Sequence, residues 1–242
     1  MAVRNPLRPG HRAKPRRDIF ENLINPIDRL SETMFSILIM LFFTLVYRVN
    51  QYPSFNFYED QETILTNMII GALFTVISWG FFDGVMYALF SLLERSEKHR
   101  LLKGIQTAED DASAVEVIAD ELDYILEPIT EKEQRTSLYQ NILGFLRNSK
   151  PQIINFKRED FTAILGHVIV AVIAIIPSLI PLVVFRQNVE LAIRSSNIVS
   201  FAVLFISGYQ WGKYTGVAPW KTGMLITSVG VLTVAIGIFL GG

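Results

Sequence analysis

The 242-residue chain contains no cysteine, which excludes disulfides and thiolate metal sites and leaves the redox compartment open. Histidine is scarce, with three residues, and charged residues make up only 19% of the chain. The sequence has no phosphate-binding loop, no zinc-hydrolase helix and no nucleophile elbow, so nothing in it argues for ATP hydrolysis or acyl transfer, and an enzyme is not expected. Residues 1–29 are polar and basic and lack the compact apolar stretch and cleavage site of a signal peptide. The first apolar helix is therefore expected to stay as a span. The net charge of −1 gives no reason to expect nucleic acid as a partner. Half of the residues are hydrophobic and the mean hydropathy is +0.35, a balance that points to a membrane protein.

The hydropathy pattern predicts an all-α polytopic membrane protein with five spans, near residues 30–49, 64–93, 161–185, 197–214 and 222–240. This divides the chain into a basic N-terminal segment (1–29), spans one and two (30–93), a polar insert (94–160) and spans three to five (161–242). Of 22 Lys and Arg, nineteen fall in the N-terminal segment, the insert or the loop 213–221, and only Arg48, Arg186 and Arg194 fall on the other side. The positive-inside rule then places the N-terminus and the insert in the cytosol and the C-terminus opposite. The acids of the first external loop, Glu59, Asp60 and Glu62, are read as solvated. The expected location is the cell membrane, with an organellar membrane left open.

The insert itself has helical spacing. Val115, Ile118, Ala119, Leu122, Ile125 and Leu126 recur on one side between Thr107 and Glu127. Thr107 with Asp110 is read as the start of this helix and Pro128 as its end, and Thr130 with Glu133 as a capping box opening a second helix to about Arg147. A cytosolic helical hairpin follows.

One acid lies in oil. Asp83 is the only charge in the stretch 64–93. A carboxylate there costs about 2.5–3.5 kcal/mol on an insertion scale, and the eleven Leu, Ile, Val and Phe between Thr66 and Phe90 offset it by roughly 5 kcal/mol. Intramembrane acids usually line a pathway or face a partner helix. Glu32 begins span one on the same side of the bilayer. Met34 and Met86 lie close to these acids in sequence, and a set of carboxylates and thioethers suits Fe²⁺ or Mn²⁺. The acid pair is also able to exchange protons. Methionines more commonly just pack. His167 in span three is a candidate proton carrier with no partner that the sequence identifies.

Three other patterns stand out. Glu109, Glu116, Asp120, Asp123 and Glu127 fall within about 60° of one another on a helix. They form either a cation-collecting stripe or a solvated face. Gly80 with Gly84, and Gly208 with Gly212 and Gly216, repeat every four residues and predict close helix packing or dimerisation. Pro177 and Pro181 predict a bend in span three.

The segments IPSLIPLVVF, FISGYQWGKYTG and PWKTGMLITSVGVLTVAIGIFLGG resemble the third, fourth and fifth helices of the vacuolar iron transporter family. Ser31-Glu32 falls where that family has a Ser-Asp pair whose acid serves the metal path. Met86 is similar in place to its methionine ligand, and Ser96-Glu97 to a Ser-Glu pair opening its insert. The resemblance implies proton-coupled export of divalent metal, iron or manganese as transported substrate, no tightly bound cofactor, a metal site on the insert that would include Glu97, and a homodimer with the path near its seam. The departures are specific. Thr33 and Met34 follow Glu32 where the family has glycine, Ser78 stands in place of its second-helix glutamate, and Lys98, His99, Arg100 and Lys103 interrupt its run of insert glutamates. A competing expectation is a membrane scaffold without transport activity, whose acidic hairpin binds a protein partner.

Overall fold

A computed structural model describes residues 26–51, 61–151 and 153–241. The basic segment up to residue 25, the loop acids Glu59 and Asp60, and Gly242 lie outside the described residues. All the regular structure described is helical: α1 (Pro26–Gln51), α2 (Gln61–Thr107), α3 (Asp111–Leu126), α4 (Lys132–Leu146), α5 (Arg158–Val184), α6 (Val189–Thr215) and α7 (Pro219–Gly241). Among the described residues, four helices are long and apolar enough to cross a membrane, namely α2, α5, α6 and α7. Asp28, Arg29 and Glu32 occupy the first two turns of the 26-residue α1, and a largely apolar stretch follows them.

The chain divides into two compact units. One comprises the chain up to Gly84 with the chain from Thr162, and the other is Val85–Phe161. In the first unit α6 packs along α7, and α1 packs against both. Its core joins Ile37, Met40 and Leu41 of α1 to Met68 and Val76 of α2, Ile175 and Leu182 of α5, and Leu204 of α6. Large apolar side chains also point outward, among them Phe42, Phe74, Phe81, Ile198 and Leu232. A surface of that kind suits lipid and not water. Several buried hydroxyls of this core are paired. The Thr44 hydroxyl lies 2.9 Å from Asn197 Oδ1, Ser196 Oγ donates to the Ser178 carbonyl at 2.6 Å, and Ser200 Oγ lies 2.8 Å from Ser178 Oγ. Helix α5 runs unbroken through Pro177 and Pro181.

Small residues let the helices approach. A Cβ on Gly208 would meet Ile226 at 3.0 Å, and one on Gly212 would meet the Pro219 backbone at 2.7 Å. Gly216 differs from the packing role expected of it. It ends α6 in the left-handed conformation, with φ at 74°, and among the described residues nothing lies within 4 Å of where a Cβ would stand. Its glycine answers a backbone need at the C-cap. Helix α6 also starts eight residues earlier than the hydropathy suggests. Asn188 caps it by accepting from the Leu191 amide, and Glu190 pairs with Arg194 one turn on, so its first turns are polar but helical.

In the second unit, Ile105 from the end of α2, Ala114 and Ile118 from α3, and Tyr139 and Leu143 from α4 form a small buried core. The helix boundaries shift from the sequence expectation. Thr107 closes α2 by bonding back to Lys103, and Asp110 caps α3 by accepting from the Ser113 amide at 2.8 Å, which holds its carboxyl below the usual carboxylate range. The capping box of α4 is Glu131 with Gln134, one residue along from Thr130 and Glu133. The Thr130 hydroxyl bonds instead to the Leu126 carbonyl. Pro128 lies in a 3₁₀ turn, Glu127–Ile129, that directly follows α3.

Tyr139 OH donates to Asp123 Oδ1 at 2.7 Å, and Arg135 holds the same oxygen at 3.0 Å. Burial, reinforced by Asp123, pushes the Tyr139 hydroxyl above its ordinary value. A raised folded value means that the unfolded chain releases this proton first. The stability is whole below about pH 10 and is lost as pH rises beyond it. Thermal melts of detergent-solubilised protein should show a smaller alkaline loss, between about pH 9 and 11, in Tyr139→Phe than in the wild type.

Candidate metal centre

Three ionisable side chains from three helices meet inside the first unit. Glu32 comes from the second turn of α1, Asp83 from the middle of α2 and His167 from the third turn of α5. His167 Nδ1 lies 3.3 Å from Glu32 Oε2 and 3.1 Å from Asp83 Oδ2. The side chains of Glu32 and His167 are 0% and 3% exposed, and that of Asp83 is 40% exposed. Ser36, one turn after Glu32 and fully buried, donates to Glu32 Oε1 at 3.4 Å. Asp28, one turn before Glu32 on the same face, is half-buried.

The glycines of α2 bring this group together. A Cβ on Gly84 would stand 2.7 Å from Ile164 Cα, and one on Gly80 would stand 3.1 Å from Val168 Cα and 3.3 Å from the His167 carbonyl. The backbones of α2 and α5 thus touch on either side of His167, and its ring reaches Asp83 with no side chain between them. This link was invisible in the sequence, where His167 had no partner.

A carboxylate in a low-dielectric site is stable only when paired or neutralised. One imidazole nitrogen between two carboxylates is such a pairing. The ligand atoms of the three residues lie within 4.8 Å of one another, the span of one coordination shell, and among the described residues no other group of three His, Asp or Glu does so. One nitrogen and two hard oxygens suit borderline divalent cations such as Fe²⁺, Mn²⁺ or Zn²⁺. The same three groups can also pass a proton among themselves.

Met34 packs against the apolar core of the first unit. Met86 is half-buried and belongs to the second unit. Glu97 is exposed on α2, and Glu109 is exposed between α2 and α3. Glu116 and Asp120 are exposed on α3, and Glu127 in the turn after it, whereas Asp123 is taken up by Arg135 and Tyr139. No family model matches this chain, and no curated protein matches it.

Proposed function

We propose that the protein is a membrane transporter that moves a divalent cation, Fe²⁺ or Mn²⁺, out of the cytosol in exchange for protons, with Glu32, Asp83 and His167 as its intramembrane station. The observation that carries this reading is the meeting of two acids and one histidine on three helices, two of which, α2 and α5, are long and apolar enough to cross a membrane. Charge balance gives the exchange. With both acids ionised and His167 neutral, the group carries two negative charges, which one divalent cation cancels. With His167 and one acid protonated, the group is neutral without a cation. Two protons and one divalent cation are therefore alternative occupants, and a buried site avoids the large penalty of net charge in either state. In this reading α1 is a fifth span, the N-terminus is cytosolic, and the insert with α3 and α4 lies on the cytosolic side. The likeness to vacuolar iron transporters supports the same direction of transport. Asp83 remains partly open, and pairing of two copies along that side would close the path.

In proteoliposomes with an inward-acid gradient, Glu32→Gln and Asp83→Asn are each expected to reduce Fe²⁺ or Mn²⁺ flux to background while the protein still elutes as a single folded species. Undiminished flux in both variants rejects the reading. A second reading, a scaffold that binds a basic partner, draws on the exposed acids Glu116 and Asp120 of α3. Under it, both variants would behave as wild type, and reversing those two charges would abolish capture of the partner.

A further inference from the structure

The second unit contains a cavity of about 480 Å³ between the distal turns of α2 and the end of α4. Its basic lining is Arg95, Lys98, His99 and Lys150; among the described residues no acid lines it, and Glu94, exposed outside the lining, pairs with Lys98 at 3.3 Å. Its apolar lining is Leu101, Leu102, Ile105, Leu146 and Ile153. The two parts are held in place by strong contacts. The Gln106 side-chain amide donates to the carbonyls of Leu146 and Ser149 at 3.0 and 2.7 Å, pinning the end of α4 to α2. Arg95 is fixed by a two-pronged pairing with Asp160 at 2.7 and 2.8 Å.

The position along the chain matters as much as the lining. The apolar run of α2 ends at Leu93, and Arg95, Lys98 and His99 occupy the next two turns of the same helix. At about 1.5 Å per residue they follow the apolar run by only some 3–9 Å, the depth of lipid headgroups. The segment from Lys150 into α5 has a second mark of that depth. Ile153 is 80% exposed, Ile154, Phe156 and Phe161 are exposed beside it, and Lys150, Lys157 and Arg158 alternate with them. Exposed apolar and aromatic residues among bases suit an interface between oil and water.

We propose that this cavity binds an anionic phospholipid of the surrounding bilayer. Its phosphate sits among Lys98, His99 and Lys150, and its acyl chains run past Ile153 and Leu102. A free phosphate has no use for the apolar half of the cavity, and a zwitterionic lipid matches the bases less well. This inference is independent of the metal centre, because none of its residues belongs to it.

Full-length protein in phosphatidylcholine mixed micelles, titrated with radiolabelled phosphatidylglycerol, tests the proposal. A basic side chain near an anionic lipid surface is worth about a factor of five in affinity, so Lys98→Gln with Lys150→Gln should weaken binding about 25-fold. Inorganic phosphate at equal concentration should not displace the lipid. Ile153→Asp, which keeps every base, should also weaken lipid binding. It provides the reading on its own if the double variant melts below the wild type. Equal affinity in wild type and the variants, equal binding of labelled phosphatidylcholine, or displacement by inorganic phosphate overturns the proposal.

Discussion

Replacing His167 by alanine is expected to weaken divalent-cation binding by about a hundredfold or more and to stop proton-coupled flux, a loss at least as large as that for an outer-sphere partner of a metal ligand. Two effects add. The variant removes the one nitrogen donor of the group, and it leaves Glu32, which is 0% exposed, without the group that offsets its charge. Breaking a buried pair by removing one partner destabilises by about 3–5 kcal/mol, unless the orphaned carboxyl takes up a proton. Glu32 then becomes a neutral acid, a poor ligand. His167→Gln separates the two roles. Glutamine can hydrogen-bond to Glu32 and keep the helices together, but it cannot titrate. The variant should fold with near wild-type stability and still lose the dependence of flux on the pH gradient. Flux and melting temperature measured on the same preparations distinguish these outcomes, and wild-type pH dependence in His167→Gln would remove the histidine from the exchange.

Gly84→Val is expected to abolish cation binding although all three ligands remain. The added Cβ would stand 2.7 Å from Ile164 Cα and 3.0 Å from the Ile164 carbonyl, and both are backbone atoms that cannot swing aside. Helix α5 has to move off α2. Overpacking of this kind typically costs about 1–3 kcal/mol in stability. The functional loss should exceed that, because an ångström of separation stretches the 3.1 Å contact between His167 and Asp83 beyond hydrogen-bonding range. Gly144→Ala is the matching control. Among the described residues nothing lies within 4 Å of its Cβ position in α4, so alanine should stabilise that helix by about 0.5–1 kcal/mol and leave transport unchanged. Equal binding by Gly84→Val and wild type would show that the close approach of α2 and α5 does not position the group.

The sequence carried part of this arrangement. An acid inside an apolar run is conspicuous because its insertion cost has to be offset, so Asp83 was legible, and Glu32 followed from its place at the mouth of the first apolar helix. His167 was not legible as their partner. Its relation to them depends on how α5 crosses α2, and a hydropathy pattern fixes the length of a helix but not its rotation. Gly80 and Gly84 were the available signal, since close-approach glycines beside Asp83 mark the face that another helix must touch. Asp28 carried a signal too, standing one turn before Glu32. Met34 and Met86 entered the reading through nearness in sequence alone. Met34 is two residues from Glu32, about 200° around the helix, and packs in the core. The helix starts at Asp110 and Glu131 were missed by one to three residues because polar triplets overlap there. Thr107, Asp110 and Ser113, like Thr130, Glu131 and Gln134, offer several frames for the same cap, and only the backbone selects one.

The central claim is that one imidazole and two carboxylates jointly hold a divalent cation. Electron paramagnetic resonance of Mn²⁺ bound to the full-length protein tests it most directly, because a coordinated imidazole couples its ¹⁴N nucleus to the metal spin. The account predicts tight Mn²⁺ binding with a ¹⁴N coupling that persists in His99→Gln and disappears in His167→Gln. It also predicts loss of bound Mn²⁺ in Glu32→Gln. Mn²⁺ that binds with the same ¹⁴N coupling in His167→Gln, or a wild-type protein that binds none, would contradict it.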